Sequence, residues 1–214
     1  MNGEGALEYV PSKRDGGQWI AEIRHFSAYA LLKYDKAFED VPSGHWVESA
    51  IKQLAARQIV GGVGEEKFAP ERSVLRAEFA AMLVRALRLE ATGQASFADV
   101  NAGDWFADEA VAAAEAGIVR GDGQGQFRPA ETMTREEMAV MLARASALVE
   151  GQHENSGSSV EFEDRSEISD WALKAIAEAA ERGLLEGSGD NRFRPREPIS
   201  RAESSQAIHR LLEQ

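Results

Sequence analysis

Apolar residues recur at helical spacing in six stretches of this chain. In the first, Val47, Ala50, Ile51, Leu54, Ala55 and Ile59 fall on one side, because residues three and four apart share a helix face. Phe79, Met82, Leu83, Ala86 and Leu87 do the same in the second. The third and fourth carry Ala110, Val111, Ala114 and Ile118, then Met138, Met141, Leu142 and Ala145. The last two carry Leu173, Ile176, Ala177, Ala180 and Leu184, then Ile208, Leu211 and Leu212. Small residues on the first helix of each pair predict close helix approach around a shared axis. Gly117 and Gly183 stand where a left-handed residue ends a helix. Gln58 holds that place in the first pair, which predicts a poorer stop.

Each pair is joined by a glycine-rich loop: Gly61-Gly-Val-Gly64, Gly121-Asp-Gly-Gln-Gly125 and Gly187-Ser-Gly189. The loop ends in Phe-x-Pro, at Phe68, Phe127 and Phe193. The Phe is expected to plug the core, and the Pro to halt regular structure. Thr134-Arg-Glu-Glu137 and Ser200-Arg-Ala-Glu203 have the form of capping boxes. Leu75 takes the hydroxyl's place in the first unit, so that helix start is expected to be weaker by roughly 1 kcal/mol.

The units also share Phe38-Glu-Asp40, Phe97-Ala-Asp99 and Phe162-Glu-Asp164, followed by Trp46, Trp105 and Trp171. One unit of this size seldom buries its apolar face alone. The expected domains are 1–37, 38–95, 96–159 and 160–214. Residues 91–96 and 150–159 are linkers, and the Gly, Ser, Asn and His content of the second predicts flexibility.

The first 37 residues follow another period. Trp19, Ala21 and Ile23 alternate with Ile20, Glu22 and Arg24. Residues 8–11 and 18–23, flanking Ser12-Lys-Arg-Asp-Gly-Gly17, are expected to form a β-hairpin, and residues 26–34 one more strand. Two or three strands are marginal alone. The segment is either the tail of an upstream β domain or a local β cap on the repeats. The fold class expected is mainly α: three helix-loop-helix repeats after a short β segment.

Composition narrows the function. The chain has 214 residues, 43% hydrophobic and 28% charged, with no cysteine. It has no apolar run of about 18 residues that would span a membrane. Disulfides and thiolate metal sites are excluded. A net charge of −12 argues against nucleic acid, which wants a basic face. Met1 is followed by no basic and apolar leader, so the expectation is either an internal protein or the C-terminal piece of a longer one.

Candidate chemistry centres on Arg76, Arg135 and Arg201. Each stands in the first turn of a helix, where a cation opposes the macrodipole by about 0.3–1 kcal/mol. Helix N-termini bind anions, and a guanidinium forks onto carboxylates. The same residues also fit a structural ion pair. Each Trp can stack on a sugar face or lie in the core. Asp40, Asp99 and Asp164 fit a loop brace or a ligand, and the loop glycines a close ligand approach or simple turn geometry. Asp122-Gly-Gln-Gly-Gln only faintly resembles a calcium loop and lacks its later acidic ligands. His25, His45, His153 and His209 occupy unrelated repeat positions, and no nucleophile constellation is visible. No enzyme, cofactor or metal is expected within this chain.

At these residues the chain resembles surface-layer homology (SLH) repeats of bacterial cell-surface proteins. The resemblance rests on Phe38-Asp40-Val41 and Phe97-Asp99-Val100, the following Trp, the Gly-rich loop, Phe-x-Pro and the Arg-containing motif. It covers about residues 38–214. It implies a pseudo-threefold assembly whose inter-repeat grooves bind secondary cell-wall polysaccharide, commonly through a sugar bearing a pyruvate ketal. On matching positions it implies polysaccharide binding by Arg76, Arg135, Arg201, Asp40, Asp99, Asp164, Trp46, Trp105, Trp171, Gly61, Gly121 and Gly187. It also implies an extracellular, wall-bound location and an upstream cargo domain in the same protein. Two other readings remain: a protein-interaction array of an S-layer, and a calcium-dependent dockerin-like adaptor. Arg165 after Asp164, Ser204 and Ser205 in place of an apolar pair, and Leu75 at the cap depart from the pattern. One or two grooves are therefore expected to dominate, with the one relying most on the third repeat weakest.

Overall fold

A computed structural model describes residues 9–21, 23, 28–30, 34–93, 97–150 and 161–214. It contains a short hairpin, β1 (Ser12–Asp15) and β2 (Gln18–Ala21), and six helices. These are α1 (Glu48–Ala56), α2 (Arg76–Leu87), α3 (Ala107–Glu115), α4 (Arg135–Glu150), α5 (Asp170–Glu181) and α6 (Arg201–Leu212). The chain is mainly helical, as the periodicity predicts.

The packing partners are not the ones the pairing suggests. The two helices of one repeat do not approach within 8 Å between Cα atoms. Instead α3 packs on α2, α5 on α4, and α1 on α6. Each first helix therefore covers the second helix of the preceding repeat, and the last repeat is covered by the first. The second helices α2, α4 and α6 meet one another. It is thus the second helices, not the Ala-rich first ones, that gather around the axis. The small residues of the first helices serve the approach to a neighbouring repeat.

The segments leading into α2, α4 and α6 close a ring. Val74 N–H donates to Ile199 O (3.0 Å), Ile199 N–H to Met133 O (3.0 Å), and Met133 N–H to Val74 O (2.9 Å). The helix starts are capped across the same boundaries. In α2, Arg76 and Ala77 donate to Glu131 O and Pro129 O. In α4, Arg135 and Glu136 donate to Glu197 O and Pro195 O; in α6, Arg201 and Ala202 donate to Arg72 O and Pro70 O. The Phe-x-Pro loop of one repeat thus supplies carbonyls to amides that the neighbouring helix leaves open. Leu75 does lack the side-chain cap bond and keeps half the box, its N–H donating to Glu78 (3.0 Å). Ser200 makes both halves.

Phe68, Phe127 and Phe193 are buried against Phe38, Phe97 and Phe162, with ring centroids 5.3–5.4 Å apart. Ser204 and Ser205 are fully buried where an apolar pair was expected. Their hydroxyls donate to Ser200 O and Arg201 O at 2.8 Å, so neither is left unsatisfied.

The first helix of every repeat stops in the same way. Ile59, Ile118 and Leu184 donate back to Leu54, Ala113 and Ala179 at 2.9 Å, across a left-handed residue. That residue is Gly117 (φ 74°), Gly183 (φ 66°) and, in the first repeat, Gln58 (φ 60°). The stop at Gln58 is therefore complete but held in a conformation that costs a side chain about 1 kcal/mol. Gln58→Gly is expected to stabilise the protein by about that amount, read as a rise in the thermal midpoint.

In the hairpin, Asp15 pairs with Gln18 across Gly16 and Gly17. The strand expected at residues 8–11 lies at Ser12–Asp15 instead. Two consecutive residues of positive φ, 53° and 87°, make a two-residue turn, which moves the first strand toward it. Residues 28–30 and 34 carry no strand, and the rest of the expected third strand lies outside the described residues. So do residues 151–159 of the expected flexible linker, and residues 94–96.

Candidate functional site

The Asp of each Phe-x-Asp binds the distal loop of its own repeat. Asp40 accepts from Phe68 N–H (2.8 Å) and Ala69 N–H (2.7 Å). Asp99 accepts from Phe127 and Arg128 (2.7 Å each), and Asp164 from Phe193 (2.8 Å) and Arg194 (2.7 Å). The second residue in each case is the centre of Phe-x-Pro, held left-handed: Ala69 (φ 57°), Arg128 (φ 59°) and Arg194 (φ 59°). The carboxylate compensates a conformation that L residues avoid, so each aspartate braces its loop. Burial opposes ionisation of Asp40 and Asp164, but the paired backbone N–H bonds outweigh it and hold both below the usual carboxylate value of 3.8. A depressed carboxylate contributes stability above its unfolded value and loses it as pH falls through the folded one. Asp164→Asn keeps one acceptor and turns an NH₂ toward a donor. It is expected to cost about 2–3 kcal/mol at pH 7, and less as pH falls below 3.8. Denaturant midpoints at pH 7 and below pH 4 check both signs.

The three arginines cross to the next repeat. Arg135 Nε donates to Phe193 O (2.7 Å) and Nη2 to Glu186 O (2.9 Å), while Nη1 pairs with Glu203 (2.8 Å). Arg201 Nε donates to Phe68 O (2.9 Å) and Nη2 to Gly61 O (2.7 Å). Arg76 Nη2 donates to Arg120 O (3.3 Å), and Nη1 lies 3.5 Å from Glu137. Each guanidinium also sits over a Phe-x-Pro ring, 4.5 Å from Phe68 for Arg201, 5.1 Å from Phe193 for Arg135 and 5.7 Å from Phe127 for Arg76. The helix-terminus part of the anion argument does not hold, because the first amides of α2, α4 and α6 are spent on carbonyls of the next repeat. What remains is graded: Arg201 is 8% exposed and tightly bonded, Arg135 retains an open side, and Arg76 is held loosest.

Beside Arg135 a crevice of about 270 Å³ opens between the second and third repeats. Gly187, Ser188, Glu203, Gln206 and Arg210 line it, and Trp46 of the first repeat borders it. Trp46, Trp105 and Trp171 are 57%, 60% and 58% exposed, so none is a core residue.

Gly121 and Gly187 lie against Phe97 and Phe162, where an added Cβ would meet the ring at 3.1 and 2.8 Å. Their counterpart in the first repeat is Gly62, 2.9 Å from Phe38, rather than Gly61. Gly61 occupies the position of Arg120 and Glu186, whose carbonyls receive the crossing arginines. Sequence reading named Gly61 but missed its counterparts Arg120 and Glu186. It also missed Arg85, Arg144 and Arg210, a further arginine recurring with the same spacing as Arg76, Arg135 and Arg201.

Asp122, the centre of the faint calcium loop, accepts from Gln124 and Gln126 N–H and pairs with Arg128 at 2.7 Å. Among the described residues no group of three His, Cys, Asp or Glu is placed to hold a metal ion. Among them also, no helix is long and apolar enough to cross a membrane.

Ring closure and cross-repeat capping define a cyclic three-repeat helical module with a cleft beside Arg135. The chain belongs to the S-layer homology domain family, whose description matches residues 37–80, 96–139 and 161–203. It is similar to an amylopullulanase of Thermoanaerobacterium thermosulfurigenes, 40% identical over 96% of this chain and 11% of that protein. It is similar also to an exoglucanase of Acetivibrio thermocellus, 38% identical over 86% of this chain and 17% of the enzyme. A surface-layer 125 kDa protein of Lysinibacillus sphaericus is 32% identical over 78% of this chain and 14% of its own length. The chain thus spans only a small part of these curated relatives. The family is one of cell-wall anchoring domains, and the chain is an SLH region of that kind.

Proposed function

We propose that this chain holds a surface protein on the bacterial cell wall, without a covalent bond, by binding secondary wall polysaccharide in its inter-repeat grooves. The proposed ligand class is a glycan whose end carries a pyruvate ketal, and the proposed cargo is an upstream domain of the same protein, outside the cell. The boundaries proposed for the units are 1–37, 38–95, 96–159 and 160–214. The observation that carries the reading is the crevice in which Arg135 and an exposed Trp46 face a sugar-sized space. An indole offers a sugar ring an apolar face, and a guanidinium offers a carboxylate a fork of donors. Weak grooves on one polymer would add by avidity.

The test is calorimetry and pull-down with purified wall polysaccharide, before and after chemical removal of pyruvate. Binding that falls when pyruvate is removed supports the carboxylate part, and binding that falls in Trp46→Ala supports sugar stacking in this crevice. Binding that ignores pyruvate overturns the carboxylate part, and no binding at all points to protein contacts. Loss of binding with chelator would favour the calcium-dependent adaptor.

A further inference from the structure

The three repeat boundaries, each counted as one groove, share a backbone plan of crossing arginines and differ in charge. In the second, the guanidinium of Arg135 meets Glu203 and that of Arg210 meets Glu186, both at 2.8 Å. Arg194, also on its wall, lies 3.1 Å from Asp190 and 3.7 Å from Glu197. In the third, Arg201 is bonded to two carbonyls and buried, Arg85 is drawn to Glu109 (2.7 Å), and Glu78 is held by Arg72 (2.5 Å). Each of these grooves answers its cations from within.

The first groove does so only in part: Arg128, the counterpart of Arg194, pairs with Asp122 (2.7 Å) and Glu131 (3.3 Å), but the cations at its centre are left largely unanswered. Arg120 stands where the second groove has Glu186 and the third has Gly61. Arg76 Nη2 bonds the carbonyl of Arg120, and Arg144 Nη1 bonds the carbonyl of Ile118 at 3.0 Å, two residues earlier on the same segment. Three guanidinium groups thus converge on one short stretch of chain. Among the described residues, Glu137 is the one acid paired with any of them, at 3.5 Å from Arg76. Arg120 is exposed, and among the described residues neither it nor Arg144 has an ion-pair partner. Burial, then the fields of Arg120 and Arg76, lower the pKa of Arg144. An arriving anion would relieve that repulsion. In a chain of net charge −12, a local excess of positive charge directs where an anionic ligand settles.

We propose that the groove between the first and second repeats is the anion-selective one, and that Arg120 and Arg144 join Arg76 in contacting the carboxylate of a pyruvate-bearing sugar. Arg120 sets the selectivity, because an acid at the equivalent position neutralises the second groove. This inference rests on the polysaccharide reading above.

The probe is a monosaccharide bearing a pyruvate ketal, compared with the same sugar lacking it. Calorimetry on the whole chain is expected to show roughly fivefold weaker ketal binding for Arg120→Gln. Arg120→Glu, which copies the second groove, is expected to lose more. In side-chain NMR of the unmodified chain, the Nε–H signals of Arg76, Arg120 and Arg144 should shift on ketal addition ahead of those of Arg135 and Arg210. Unchanged affinity in both Arg120 variants, or shifts led by Arg135 and Arg210, overturns the groove assignment and leaves wall binding standing. A wild-type chain that binds the ketal sugar no better than the plain sugar overturns this inference together with its carboxylate premise.

Discussion

A chain ending at residue 159 is expected to lose cooperative unfolding altogether. Removing the third repeat takes α5 from α4 and α6 from α1, and leaves the first repeat's Pro70 and Arg72 carbonyls without the amides of α6. It also removes Ile176, Leu184, Phe193, Ile199, Ile208 and Leu211, all buried. Burial of one such side chain contributes about 1.5–3 kcal/mol. Six together reach the whole net stability of a domain, about 5–15 kcal/mol. Thermal unfolding followed by circular dichroism should be broad and weakly protected. A shortened chain that melts as sharply as the full one would contradict the cyclic packing.

Arg201→Ala is expected to destabilise by about 3–4 kcal/mol, because it strands the Phe68 and Gly61 carbonyls and empties the space over the Phe68 ring. Arg76→Ala should cost about 1 kcal/mol or less, since its longest-reaching bonds are 3.3 and 3.5 Å and partly solvated. Midpoints in urea compare the two directly. Equal losses would return the three arginines to the equivalence their spacing suggests. The third arginine is thus a pin between repeats before it is a ligand contact, whereas the second borders an open cleft.

Much of this was legible in the residues. Helical period, Phe plugs and the arginine motif were each written three times, so noise in one copy was corrected by the others. The departures were informative as well: Leu75 does lack its cap bond, and Ser204 and Ser205 solve a buried polar problem by turning back on their own helix. What the residues could not carry was partnership. Spacing places an apolar stripe on α1 but does not say that α6, at the far end of the chain, covers it. The same limit hid the exposure of Trp46, Trp105 and Trp171, which depends on what the neighbouring repeat leaves open. The one-residue slip between Gly61 and Gly62 arose because repeat one has consecutive glycines, and only contact with Phe38 tells them apart. Charge differences among the grooves are read only once Arg120, Glu186 and Gly61 are seen to be equivalent.

The clasp of α1 against α6 has a mechanical consequence. In an open array each unit leans only on its neighbours, so tension can peel units off one end. Here a pull transmitted through residue 37 reaches a first helix already gripped by the last. The load is shared around a closed loop of three boundaries, and rupture should come as one high-force event rather than as three successive small ones.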